Sequence, residues 1–282
     1  MSGNQRQAIA VLGMHRSGTS AVARIVNLLG AAIPAHLVKP APDNPTGFWE
    51  SDVIAGANEL MLTTAGAGSF NCLTFDAVSI GGAPLVTILT PILRTEFGDA
   101  DLFVMKDPRL CLTLSLWLPT LASMRIRLSA LLVLRNPVEV VHSLYRREQF
   151  APEVSVLLWL RYMLDAERQT RGFPRSVVSY DHLLEDWRQC LQRAGREADI
   201  AWPNGGDAVI SQVDRFLRAD LRHHRGSLER LPSVRARLWE WVVEVYEVLR
   251  QAEQTGWDQQ QLIRLDRVRG EFDASCRQRT NG

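Results

Sequence analysis

The stretch Gly13-Met14-His15-Arg16-Ser17-Gly18-Thr19-Ser20 stands between an apolar run (Ile9, Ala10, Val11, Leu12) and a helical pattern through Val22, Ile25, Val26 and Leu29. A buried strand, a glycine-bounded turn and a helix start, in that order, bring backbone N–H groups and the positive helix end to one point, which suits a phosphate. The loop nearly matches the nucleotide-triphosphate pattern GxxxxGK[ST], but Thr19 stands where the lysine belongs. Without that lysine the loop lacks the charge that handles a transferred phosphoryl group, so ATP chemistry is disfavoured. What remains is an anion cradle, with Arg16 offering a forked cation and Thr19 and Ser20 offering hydroxyls.

The rest of the chain alternates short apolar runs with helical patterns. Leu102-Phe103-Val104-Met105 closes on Lys106-Asp107-Pro108-Arg109, and Ala130-Leu131-Leu132-Val133-Leu134 closes on Arg135-Asn136-Pro137. Ser176-Val177-Val178-Ser179-Tyr180 reads as a fourth strand, with helical spacing predicted over 51–61, 85–93, 110–121, 138–145, 154–171 and 182–193. Continuous apolar strands between helices predict an α/β fold with a mostly parallel central sheet, P-loop-like, whose ligands gather at the carboxyl ends of the strands. Val234, Leu238, Trp241, Val242, Val245, Tyr246 and Leu249 mark a long amphipathic helix, and Leu262, Leu265 and Val268 another. The expected organisation is one domain over 1–270, with a helical C-terminal portion from about 206 and a frayed, flexible tail over 271–282. Residues 31–47 carry four prolines and read as a surface loop; residues 65–84 are glycine-rich.

Composition excludes several classes. The formal net charge is +1, so no field of one sign recruits nucleic acid or an anionic membrane. No apolar run approaches the roughly 20 residues of a bilayer span, and no secretory leader is recognised, so the chain is expected to be soluble and cytoplasmic. Four cysteines (Cys72, Cys111, Cys190, Cys276) lack CxxC spacing and the six histidines lack HxxxH or HExxH spacing, so no metal is expected, His223-His224 included. Of 32 basic residues only Lys39 and Lys106 are lysine, so a lysine here invites a reason.

Arg135 at a strand end and Ser143 eight residues later can face one phosphate from a helix start and its flank. With the GMHRSGTS loop, Gly47-Phe48-Trp49-Glu50, Lys106-Asp107-Pro108-Arg109, Val178-Ser179-Tyr180-Asp181 and Phe216-Leu217, these residues make the chain, from 8 to about 225, resemble the PAPS-dependent sulfotransferases, especially bacterial members. The resemblance implies that Arg16, Ser17, Gly18, Thr19 and Ser20 bind the 5′-phosphosulfate of 3′-phosphoadenosine 5′-phosphosulfate (PAPS). It also implies that Arg135 and Ser143 bind the 3′-phosphate, and that 3′,5′-bisphosphoadenosine (PAP) is the product without any metal. The cytosolic animal members usually have lysine at the Arg16 position and a catalytic histidine after the second strand; here Asp107-Pro108 fills that region.

By the same resemblance, Glu50 is the expected general base, with an aromatic surround of Phe48 and Trp49 expected to raise its pKa and Asp52 as fallback. Lys106, with Arg16, is expected to stabilise the leaving phosphosulfate as a compact charge. Adenine recognition has no clear counterpart; Arg222 or Arg225, in the basic cluster 221–225, is a candidate for the 3′-phosphate. The acceptor is expected to be a hydroxyl on a small molecule, carbohydrate or glycolipid, shaped by loops 31–50, 65–84 and 147–153 with Phe48, Trp49, Phe70 and Phe150. Oligomeric state is not legible. Two rivals are an ATP phosphotransferase, with Asp107 as its best magnesium ligand, and a non-catalytic nucleotide-binding protein.

Overall fold

The structure, a computed structural model, describes residues 5–280 apart from 43, 72, 74, 76, 78–79, 81–82 and 219–227. The first strand, β1 (Gln7–Leu12), is buried at every position and leads into the loop that precedes α1 (Thr19–Leu28). Gly18, at φ 89°, starts this helix and Gly30, at φ 111°, follows its end. After a long irregular segment come α2 (Asp52–Thr64) and α3 (Ala83–Phe97), then β2 (Leu102–Lys106) and α4 (Leu110–Ser123). Next are β3 (Arg127–Leu134), α5 (Pro137–Glu148) and α6 (Pro152–Thr170). Asn136 caps α5 by accepting from the Val138 amide at 2.9 Å, and Pro137 opens its first turn.

β4 (Arg175–Ser179) completes the sheet, whose order is β2-β1-β3-β4 with every pairing parallel. This is the expected α/β architecture. Because the connections leave β1 and β3 toward opposite edges, a crevice forms between their carboxyl ends, where ligands of open parallel sheets settle. The two sheet faces bury separate clusters. Trp117, Trp159 and Phe103 anchor one; Ile25, Val26 and Trp187 belong to the other.

The helix expected over 182–193 is two, α7 (Tyr180–Glu185) and α8 (Trp187–Glu197). Asp186 breaks it, adopting φ −147°, ψ 84° and accepting from the Gln189 amide at 3.0 Å as the cap of α8. This competition between side chain and backbone is what short acidic residues offer at helix starts. α9 (Asp207–Arg218) and α10 (Ala236–Thr255) follow.

The tail expected to fray from 271 is instead the second half of α11 (Gln259–Thr280). Phe272 and Cys276 are buried one helical turn apart, in the same core as α10. Their spacing is helical, but two apolar residues among polar ones leave a weak stripe.

Candidate active site

All four strands deliver loops to one end of the sheet, and there they border a cavity of about 540 Å³. The loop after β1 contributes Arg16, Gly18, Thr19 and Ser20. The first-turn amides of α1 have no intrahelical acceptor and end at this cavity. Gly18 is required twice over: its φ is left-handed, and a Cβ there would stand 2.3 Å from Cδ2 of Tyr180, which follows β4. Gly13 admits no Cβ either, because the Val133 carbonyl lies 2.8 Å from where it would be. Its amide donates to the buried thiol of Cys111 at 3.1 Å, and burial pushes that thiol's pKa up, so it stays neutral.

Arg16 takes φ 70°, a conformation side chains rarely adopt, and two bonds hold it there. Arg135 Nη1 donates to the Arg16 carbonyl at 3.0 Å, and Arg16 Nε donates to Ser143 Oγ at 2.9 Å. The two sequence motifs therefore meet across the crevice between β1 and β3. Arg135 is oriented further by Glu139, at 2.8 Å, and by the Tyr180 ring, 4.9 Å from its guanidinium carbon. Burial raises the pKa of the Tyr180 hydroxyl. Ser17 differs from its neighbours: it is fully buried, its hydroxyl has no partner, its amide donates to the Met14 carbonyl, and it does not line the cavity.

Glu50 and Lys106, far apart in sequence, form a buried ion pair. Lys106 Nζ also donates to the Phe48 carbonyl at 3.1 Å and to Ser20 Oγ at 3.2 Å, tying β2, the Glu50 segment and α1 together. The partner of Glu50 is thus a cation, where an aromatic surround was expected. Phe48 does line the cavity, but Trp49, at φ 59°, turns its ring onto Arg24, 4.5 Å from the guanidinium carbon. Ser51 caps α2, accepting from Ile54 N at 3.0 Å, and this fixes Glu50 just before the helix. Asp52 is exposed and does not line the cavity. The 31–50 segment is held from outside by Glu96, whose carboxylate meets the His36 ring at 2.7 Å and the His36 amide at 3.2 Å.

Asp107 is fully buried and engaged. Its Oδ2 accepts from Asn58 Nδ2 at 2.8 Å, and both oxygens accept from Arg109 Nε at 3.0 Å. Asn58 in turn accepts from Thr113 and from Trp117 Nε1, each at 2.8 Å. This network turns both Asp107 oxygens toward Arg109 and Asn58 and positions Arg109 in the cavity wall. Among the described residues no group of three or more His, Cys, Asp or Glu could hold a metal ion.

Sequence reasoning missed His15 and Arg146 as cavity residues, and Arg147, expected in an acceptor loop over 147–153, reaches the cavity from the last turn of α5. His15 lies inside the recognised loop, but its spacing to other residues carries no signal. Arg146 and Arg147 follow Ser143 by three and four positions, one helical turn, which is the signal that could have found them. Phe70 lines the cavity, with Phe150 stacked edge-on against it at 5.0 Å. The candidates Arg222, His223, His224 and Arg225 lie outside the described residues.

No protein-family model and no curated protein sequence matches the chain. Among solved structures it is similar to a sulfotransferase domain from the Synechococcus olefin synthase, at 17% identity and TM-score 0.48 over 88% of this chain and 97% of that one. It is also similar to a sulfotransferase domain from the curacin biosynthetic pathway, at 13% identity and TM-score 0.43 over 91% and 99%. At these identities and scores neither likeness bears on what the chain does.

Proposed function

We propose that the chain is a sulfotransferase that moves a sulfuryl group from PAPS to an acceptor hydroxyl, releasing PAP. The observation that carries the proposal is the junction of the loop after β1 with the start of α5 at one crevice, Arg16 bonded to Ser143 and Arg135 bonded to the Arg16 carbonyl, which sets the cations of both elements side by side. A donor with phosphate at both ends of its ribose needs two such elements, whereas a triphosphate needs a loop lysine and an acidic metal ligand, and Thr19 and the engaged Asp107 supply neither.

The residues fit such a donor. The cavity is within the range of small-molecule sites, and Gly18, kept free of a side chain by the Tyr180 ring, offers it bare backbone. Arg16, Gly18, Thr19 and Ser20, with Ser17 as inner support, would hold the 5′-phosphosulfate, and Arg135 with Ser143 the 3′-phosphate. Lys106 and Arg16 would meet the negative charge that gathers on the leaving phosphate. As the Lys106 ammonium moves toward that charge it loosens from Glu50, and the freed carboxylate can take the acceptor's proton. Phe48 and Phe70 on the cavity wall suit an apolar body or a sugar ring, so the acceptor is assigned to small molecules, carbohydrates or glycolipids.

No helix among the described residues is long and apolar enough to cross a membrane. Buried, unpaired Cys111, Cys190 and Cys276 suit a reducing compartment, which supports a cytoplasmic assignment.

The test is thermal denaturation with nucleotides. A ligand at a hundredfold excess over Kd stabilises the folded state by about 2.7 kcal/mol. For a domain of this size that raises Tm by roughly 5–10 °C. PAP should do this, and ATP with magnesium should do much less. A larger shift with ATP–magnesium would return the phosphotransferase; no shift with either would leave a non-catalytic protein.

A further inference from the structure

β4 ends the sheet order, so among the described residues its outer edge has no partner strand. Such an edge presents N–H and C=O groups that have to be covered or paired. Two charged side chains take the place of a fifth strand. Arg193 of α8 donates from Nη2 to the Val177 carbonyl at 2.7 Å, and Glu253 of α10 accepts from the Ser179 amide on Oε1 at 2.8 Å. The same Arg193 Nη2 lies 3.3 Å from that Oε1, while its Nη1 is held by Glu197 at 2.9 Å. Glu253 is 2% exposed, and its Oε2 lies 3.0 Å from Nδ1 of His182 on α7. The transfer step makes no use of this buried carboxylate.

Its bond to Ser179 is made one residue before Tyr180, where the strand turns into α7. Ser179 is still extended, at φ −70° and ψ 132°, so this junction sets the direction in which the Tyr180 side chain leaves the sheet. That ring lines the cavity, stands 4.9 Å from the guanidinium carbon of Arg135, and lies so close to Gly18 that no Cβ fits between them.

We propose that Glu253 is a positioning residue for donor binding: by accepting from the Ser179 amide it fixes the β4–α7 junction, and through it the Tyr180 ring that backs Arg135. The inference rests on the sulfotransferase reading, which supplies the ligand. Reach is then the property that matters at position 253. Glutamate and glutamine both place an oxygen where the Ser179 amide points. Aspartate is one carbon shorter and withdraws it by roughly 1.5 Å. Arg193 answers instead to charge, which aspartate keeps and glutamine loses.

The experiment is a calorimetric titration of PAP into the full chain and these two variants. Glu253→Asp should bind PAP about five- to thirtyfold more weakly, the worth of a desolvated contact between a guanidinium and an aromatic ring, while Glu253→Gln stays within threefold of the parent. An ion pair that serves stability alone gives the reverse order. Once Tyr180→Leu has removed the ring, adding Glu253→Asp should weaken PAP no further. Amide hydrogen exchange needs only the parent: Ser179 should exchange as slowly as the amides that pair β3 with β4, although it faces the open edge. Parental affinity in Glu253→Asp, a loss in Glu253→Gln equal to or larger than in Glu253→Asp, a further loss on top of Tyr180→Leu, or free exchange at Ser179 overturns the role of Glu253 and leaves the sulfotransferase reading standing. Absence of PAP binding by the parent overturns both.

Discussion

Replacing Lys106 with methionine keeps most of the side-chain stem and removes the ammonium, which makes it a sharp probe of how the site is held together. Lys106 is 3% exposed and Glu50 8%, so the pair is screened little by solvent. Lys106→Met leaves the Glu50 carboxylate buried without its cation and removes the donor to the Phe48 carbonyl and the Ser20 hydroxyl. Breaking a buried pair from one side costs about 3–5 kcal/mol. At about 2–4 °C per kcal/mol, Tm should fall by roughly 6–20 °C. Glu50→Gln is milder, because the ammonium keeps two of these three partners, and a loss of about 1–3 kcal/mol is expected. The double variant leaves neither charge behind. It should therefore be more stable than the two single losses added together, by about 1–3 kcal/mol. Urea denaturation followed by circular dichroism closes the cycle. A Lys106→Met protein within about 1 kcal/mol of the parent, or strict additivity in the double variant, would refute the coupled buried pair and with it the release of Glu50 by Lys106. Among folded variants, Glu50→Gln should keep PAP affinity while turnover falls about 10²–10⁴-fold.

Arg135→Ala should weaken PAP by about 1.5–3 kcal/mol and leave AMP nearly unchanged in calorimetric titrations; equal losses would mean that Arg135 does not read the 3′-phosphate. Gly18→Ala puts a methyl against the Tyr180 ring at a left-handed φ, so it should abolish the PAP-induced Tm shift and lower stability by about 1–3 kcal/mol; a parental response to PAP would show that the loop relaxes. His36 has its pKa raised, first by its hydrogen bond to Glu96 and then by that carboxylate's charge. Its contribution to stability is therefore fully present below the unfolded histidine value of about 6.5 and is lost as pH rises through the higher folded value. Urea midpoints of the parent and His36→Asn should converge above that value and separate below it; a constant gap across pH would place the effect elsewhere.

Elements with a strong local signal were legible. Strands β1 to β4 are short apolar runs bounded by polar loops, and parallel central strands are buried on both faces, so they read without alternation. The loop after β1 and Arg135 announce themselves through glycine, proline and arginine placed at strand ends. What stayed hidden depends on distant partners. That Glu50 lies on Lys106 follows from folding the 31–50 segment back on itself, where Leu37 pairs with Ser51, Val38 N donates to the Glu50 carbonyl and the neighbouring His36 is held by Glu96. That Trp49 leaves the cavity follows from a positive φ at a non-glycine residue, which no composition announces. Asp186 breaks a helix through one side-chain bond, and α11 is docked by only two apolar residues in its last turns. Each is a tertiary choice laid over an ambiguous local pattern.

The sheet order also governs when the loop between β1 and α1 can take its form during synthesis. β1 is made first, yet its two neighbours are β2 and β3: Gln7 pairs with Leu102 on one side and Arg127 on the other. Until residue 134 has been made, this apolar strand has no complete place to rest. Long-range parallel pairing of this kind closes slowly and leaves an aggregation-prone segment waiting. The turn that starts at Gly13 is shaped by Cys111 and Val133, both from that later stretch, so the cradle takes its form only after the sheet has closed around its oldest strand.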